Sequence, residues 1–442
     1  VTRQLVSKAA LTAAFTVFGL LPAGAAAPVA PSNVSSGALP GGGQYVISPS
    51  AVAPVAAIAL WYRAPASGFD APAVPGLARL AAATVAGSSP ITGTPLGRYV
   101  SELGGRIAIN SYPDSVAISA LVPAENAASV VHAMTVSFFA PVVTADGLKL
   151  AQRDVGEEAF FRQFNSEQTI DDALVGALFS DGPAHFPSLG PSADVAKIGL
   201  DTVKAYAERA FRPSNAVLVV TGAVDPSVVT TVVPGNPAAL PRPEPPVVPH
   251  VVTDPQPVAT TGVEPGQGLG WVGPPITDER EATALDFVSD YLFRPDTGSV
   301  QRAVAATKAT VSGKFVTYRD PGVLLVTISG GDVSAARALV DSALAAARKP
   351  LERSAFGAAR DAFMYHMLSD IATPGGMADT LGWYTVEGNQ AYAPGAGGAA
   401  SRYFADAASL TPAFVAATVD KYLGRPGAVV AVEAKKSENT SK

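Results

Sequence analysis

Residues 76–88 read "GLARLAAATVAGS" and follow an apolar run, "VAAIALWYRAP" (55–65). The run reads as a strand. The stretch after it is rich in alanine and leucine, the best apolar helix formers, and reads as a strongly apolar helix. A single charge, Arg79, interrupts it. Ala82 and Ala83 stand three and four residues further on, so all three positions share one helix face. A helix laid directly on an apolar strand sets the expectation for the chain: sheets packed with helices.

The chain has 442 residues, 48% of them hydrophobic, which is too long for one ordinary core and implies two domains. Charged residues make up 15% and the net charge is -6, with no basic face, so nucleic acid is not an expected partner. There is no cysteine. Disulfides, thiolate metal sites and cysteine nucleophiles are thereby excluded. The four histidines, His132, His185, His250 and His366, are too far apart in sequence to form a local metal pair.

The start of the sequence reads as a processing signal. Arg3 and Lys8 form a positive segment, Ala9 to Leu21 an apolar one, and "AGA" ending at Ala25 supplies small residues for cleavage. An uncleaved membrane anchor is the alternative, although the apolar core is short for a span of about 20 residues. The expectation is a signal peptide over 1–25, a flexible leader over 26–43 and an exported mature protein, periplasmic or extracellular, that makes no use of a membrane after cleavage. A proline-dense stretch, 234–268, reads as a semi-rigid extended interdomain linker.

The segments flanking that stretch, 44–233 and 269–437, repeat one order of elements; 438–442 is a polar tail. "DTVKAYAERAFRPSNAVLVVTGAV" (201–224) and "TPAFVAATVDKYLGRPGAVVAVEA" (411–434) each run from a helix through an Arg-Pro pair into a strand. "PAENAASVVHAMTVSFFAP" (123–141) and "DVSAARALVDSALAAARKP" (332–350) are acid-started helices, with Glu125 and Asp332 suited to helix N-termini. Each follows a strand pair, "RIAINSYPDSVAISALVP" (106–123) or "KATVSGKFVTYRDPGVLLVTISGG" (308–331). The strands partly alternate, so one face of each sheet is expected to pack on helices. The fold class is α+β: two homologous domains, each an antiparallel-rich mixed sheet packed with helices.

Taken together, these stretches resemble the pitrilysin/insulinase family of zinc peptidases, which includes the processing peptidases. The resemblance runs from about Gln44 to Ala434. It rests on "VAAIALWYRAPASGFD" (55–70), "GLARLAAATVAGS", "LGRYVSELGGRIAINSYPDSVAISALVP" (96–123) and "FRPSNAVLVVTGAV" (211–224). It implies that 76–88 is the metal helix, where the family carries two histidines one turn apart and an intervening glutamate that activates a zinc-bound water. A distal glutamate some seventy to eighty residues on completes that site. Here the first histidine position holds Arg79, the general-base position Ala82 and the second histidine position Ala83. Alanine has no donor atom, and arginine repels a metal ion.

In "LKLAQRDVGEEAFFRQF" (148–164) the distal ligand falls on or near Ala159; Glu157 and Glu158 beside it read as a solvated face. A substrate-binding arginine and tyrosine of the family's second half fall near Ala305 and Val311, with Arg302, Lys308 and Tyr318 out of register. "ATPGGMADT" (372–380) lacks the lysine and preceding strand of a phosphate loop and reads as a loop or helix start. No cofactor is assigned.

The resemblance implies a noncatalytic homologue, inactive as an enzyme on its own. It would pair as a heterodimer with a catalytic, zinc-bearing partner to complete a peptide chamber. The alternative is a structural or binding module of the cell envelope on the same fold. Extended peptide in this family adds to the edge strand after a Gly-Gly turn. Here that turn is Gly104-Gly105, and the expected peptide-binding backbone is Ile107, Ala108, Ile109, Asn110 and Ser111.

Overall fold

The structure, a computed structural model, describes residues 34–88, 93–235, 240–396 and 401–435. The expected signal peptide, residues 26–33 of the leader and the polar tail lie outside the described residues.

The first half builds a six-stranded sheet. Its strands are β1 (Ser35–Ala38), β2 (Gln44–Pro49), β3 (Val55–Arg63), β4 (Arg106–Ser111), β5 (Ser115–Pro123) and β6 (Ala216–Gly222), in the order β1-β2-β6-β3-β5-β4. Its helices are α1 (Leu77–Ser88), α2 (Leu96–Glu102), α3 (Ala127–Phe139), α4 (Ala145–Arg162), α5 (Ser166–Leu178), α6 (Ser192–Val195), α7 (Leu200–Ala210) and α8 (Val228–Val232).

The second half builds a five-stranded sheet from β7 (Val258–Gly262), β8 (Gly266–Val272), β9 (Thr310–Val316), β10 (Val323–Ser329) and β11 (Ala428–Ala434), ordered β7-β11-β8-β10-β9. Its helices are α9 (Glu279–Phe293), α10 (Ser299–Val304), α11 (Val333–Ala347), α12 (Arg353–Asp370), α13 (Pro374–Val386), α14 (Arg402–Ser409) and α15 (Pro412–Leu423). The duplication is close. α4 and α12 are both 18 residues long, α5 and α13 both 13, and the closing strand of each half inserts into the interior of its sheet.

Three expectations are corrected. Residues 258–268 are not linker: β7 pairs parallel with β11, and β8 starts at Gly266. The proline-rich stretch ends at Pro257, and the proline-free "VATTG" after it can supply a ladder. Residues 35–38 are not flexible leader either, because Ser35 pairs with Ile47 and Ala38 with Gln44. Gly41 and Gly42, both at positive φ, close that hairpin.

Third, the first sheet is covered on both faces. β3 is buried at every position from Ala56 to Tyr62, and β6 throughout. A near-continuous apolar strand requires cover on two sides. One face packs on α1, α3, α4 and α7. The other packs on the second half: Ala57, Ala59, Trp61, Val217 and Val219 share a core with Met377, Ala378 and Leu381 of α13.

The exchange is mutual. α5 of the first half lays Ile170, Leu174 and Leu178 on Leu325, Val430 and Val432 of the second sheet. Glycine permits both close approaches. A Cβ at Gly268 would overlap Ile170, and one at Gly382 would overlap the Trp61 indole. The stretch between the halves is held down as well: Arg242 Nε donates to Ser214 O at 3.1 Å, and Val252 N to Leu178 O at 2.9 Å.

Glu125 sits in a single 3-10 turn ahead of α3, whose N-cap is Asn126. Asp332 does cap α11, its side chain accepting from Ala335 N at 2.9 Å. "ATPGGMADT" is the start of α13, with Thr373 Oγ1 accepting from Gly376 N.

Candidate functional site

α1 buries Leu77, Ala78, Leu80, Ala81, Ala82, Val85 and Ala86 in the first core, and Ala83 is partly buried against it. It runs antiparallel to α4: Gly147 lies against Gly87 and Ser88 at one end, while Arg79 meets Glu158 at the other. Small residues on both helices allow this approach. Alanine at 82 and 83 therefore serves packing.

The two charged residues of the pair are joined. Arg79 Nη2 lies 2.6 Å from Glu158 Oε2, with side chains 17% and 44% exposed. Glu158 is thus not a freely solvated residue, which corrects that part of the sequence reading. Ala159, where the distal ligand was expected, is buried against α1's side of the core. The permanent positive charge of a guanidinium occupies the ground between positions 79 and 158. Arg79 Nε is closed off without an acceptor, so this charge leans on Glu158 for its compensation. Among the described residues, no group of three or more His, Cys, Asp or Glu side chains is arranged to hold a metal ion.

The four histidines are each in a local contact. His132 Nδ1 is 2.9 Å from Val232 O, His185 Nδ1 2.7 Å from Phe179 O, His250 Nδ1 2.6 Å from Asp181, and His366 Nδ1 2.9 Å from Asp290.

β4 lies at the edge of the first sheet, paired only with β5. Arg106, Ala108 and Asn110 are exposed, while Ile107, Ile109 and Ser111 are half-buried, and the two isoleucines pack on the first core. The strand has the inward and outward alternation expected of it. Its outer ladder is unpaired among the described strands.

The second-half positions do not converge. Val311 is buried in β9, Lys308 is held in the left-handed region after Ala305, and Arg302 Nη1 donates to Thr297 O. Tyr318 packs on Trp383 at 5.6 Å between ring centres, inside the contact between halves.

Two features were missed from sequence. Phe160, Phe161 and Phe164, next to Glu158, are 49%, 65% and 52% exposed and pack edge to face. Their run in "FFRQF" on an otherwise charged helix face was the available signal. Asp114 and Glu387 meet between the halves, and residues so far apart in sequence leave no local sign.

Residues 197–362 match the family model described as Peptidase M16 inactive domain. No curated protein matches the chain. Solved structures share its architecture. A putative M16-like peptidase from Alicyclobacillus acidocaldarius superposes with a TM-score of 0.74 at 17% identity, covering 90% of this chain and 98% of that one. A protease from Helicobacter pylori gives 0.77 at 16%, over 91% and 99%. An M16 inactive domain structure from Pseudomonas fluorescens gives 0.71 at 16%, over 92% and 99%. The fold is thus the duplicated α+β fold of M16-like peptidases, and the matched family model covers the middle of the chain.

Proposed function

We propose that this chain is a noncatalytic M16-type subunit that completes a peptide-binding chamber with a zinc-bearing catalytic homologue. The observation that carries it is the Arg79–Glu158 ion pair on the helix that would hold the metal. With Ala82 and Ala83 beside it, the helix retains its packing and offers no base and no second ligand. The matched family description, an inactive domain, agrees with this reading.

The role left to the chain is binding. β4 offers Ile107 to Ser111 as an edge on which an extended peptide can add, using backbone groups that do not depend on zinc. The mature protein acts outside the cytoplasm, in the periplasm or beyond; N-terminal sequencing of exported material tests this, with a start near Ala26 expected.

Purification of the native protein, followed by mass spectrometry and metal analysis, tests the main reading. The expected result is co-purification with a homologue bearing intact His-x-x-Glu-His, zinc in that partner, and peptidase activity only in the pair. About one tightly bound zinc in this chain alone, or isolation with envelope proteins and no such homologue, overturns it; the second outcome favours the scaffold alternative. In the reconstituted pair, Ala108→Pro and Ile109→Pro separate the strand's two sides, since successive N–H groups point in opposite directions. The outward one is expected to lose peptide capture with the fold intact by circular dichroism. Full activity in both folded variants removes β4 from the role.

A further inference from the structure

Three segments meet where the halves touch: the turn from β4 to β5, the turn from β9 to β10, and the last turn of α13. Tyr112 packs on Trp383 at 5.0 Å between ring centres and stacks on Trp61 at 5.7 Å. Trp383 Nε1 donates to Thr317 O at 2.9 Å. Behind these rings lie two carboxyl groups, Asp114 from the first half and Glu387 from the second. Glu387 is buried and accepts from Arg319 N at 3.0 Å. Asp114 Oδ1 is shut off from solvent without a hydrogen-bond partner of its own, although its backbone N–H and the Ser115 hydroxyl lie close enough to the carboxyl to favour its ionised form. The two side chains are within hydrogen-bond reach of each other. Carboxyl groups in such contact, away from water, hold together only with a proton between them.

The surrounding charges do not replace that proton. Arg63, at the end of β3, lines the same small cavity as Asp114, Tyr318, Arg319 and Asp320, yet its Nε finds no acceptor. The Arg319 guanidinium is 3.5 Å from Asp320. Asp379 on α13 adds negative charge beside Tyr112. Asp171 on α5 adds more near Tyr318, and its own partner is Lys314, at 2.6 Å.

We propose that Asp114 and Glu387 form a proton-operated latch between the two halves: sharing one proton, they dock the β4–β5 hairpin on α13, and with both ionised that contact opens. The proposal stands independently of the peptidase reading. Burial raises both groups, Asp114 to about 6 and Glu387 well above the ordinary carboxyl range; the Asp114 carboxylate raises Glu387 further, while the hydrogen bond from Glu387 to Asp114 draws Asp114 partly back down. Raised acid pKa values favour the folded contact at low pH. The latch's contribution is full below the unfolded values of 3.8 and 4.5 and is lost as pH rises through about 6 and beyond.

Hydrogen exchange and tryptophan emission of the full chain, followed from pH 5 to 9, test it. Exchange across residues 112–123, corrected for the intrinsic base-catalysed rate, is expected to accelerate about tenfold or more. Emission should shift red as Trp61 and Trp383 meet water. Glu387→Gln supplies an amide N–H to Asp114 and keeps an acceptor for Arg319 N, so both readouts should stay flat. Asp114→Asn gives the same lock from the other side and serves if the first variant fails to fold. A flat wild-type profile, or a folded locked variant that opens like the wild type, overturns the latch.

Discussion

Arg79 and Glu158 tie α1 to α4: the cation that stands between the two helices belongs to the chain itself. With Glu158 44% exposed, solvent screens the pair, and it is worth about 0.5–1 kcal/mol. Its greater significance lies in where it places a carboxylate. Arg79→His with Ala83→His puts two imidazoles one turn apart on α1, facing Glu158. That double variant is expected to bind one zinc ion by calorimetry and metal analysis, and adding Glu158→Gln should weaken binding by tenfold or more. Equal affinity with and without Glu158 would show that the carboxylate is not aimed at the space between positions 79 and 83. Ala82 is fully buried, so restoring glutamate there disturbs packing and is left out of the first test. The sequence made positions 79, 82 and 83 legible because helical spacing fixes a shared face. It did not reveal the pair, because α4 follows at a distance the chain alone does not register.

Between elements, the exchange of α5 and α13 determines how the sheets are covered. Gly268 is the sensitive point. Gly268→Ala should cost about 1–3 kcal/mol by overpacking against Ile170. Combining it with Ile170→Ala should give less than the sum of the two single losses, by about 0.5 kcal/mol or more in urea titrations. Strict additivity would mean that α5 shifts to accommodate the methyl group. Most elements were readable locally: "VAAIALWYR" as a strand, "RIAINSYPDSVAISALVP" as a strand pair, and the Arg-Pro boundary before β6. The full burial of β3 was also visible in its unbroken apolar run, yet partial alternation elsewhere pointed to one covered face. The covering helix arrives from residues 374–386, and no local pattern names its target. β7 was hidden for a different reason: its five residues follow a proline-rich stretch and pair only with β11, from the end of the chain.

At the scale of the whole molecule, the halves are repeats in sequence and partners in packing. Segments 34–235 and 240–435, produced separately, should each leave an apolar sheet face and an apolar helix uncovered. Each is expected to be insoluble or to bind a hydrophobic dye, whereas co-expression should restore a soluble complex with native circular dichroism. Two independently folded, monomeric halves would contradict the exchange.

The exchange also orders events during synthesis. The first sheet has all its strands once β6 is complete at Gly222, but its second face has no cover until α13 emerges through Val386. At translation rates of about 5–20 residues per second, that interval lasts roughly ten to thirty seconds. Through it, the nascent chain carries Trp61, Val217 and Val219 on an unfinished surface. A holdase that recognises exposed aromatic and branched side chains therefore has a defined window on this protein, closing once residue 386 has followed residue 222 out of the ribosome or, for an exported chain, out of the translocation channel.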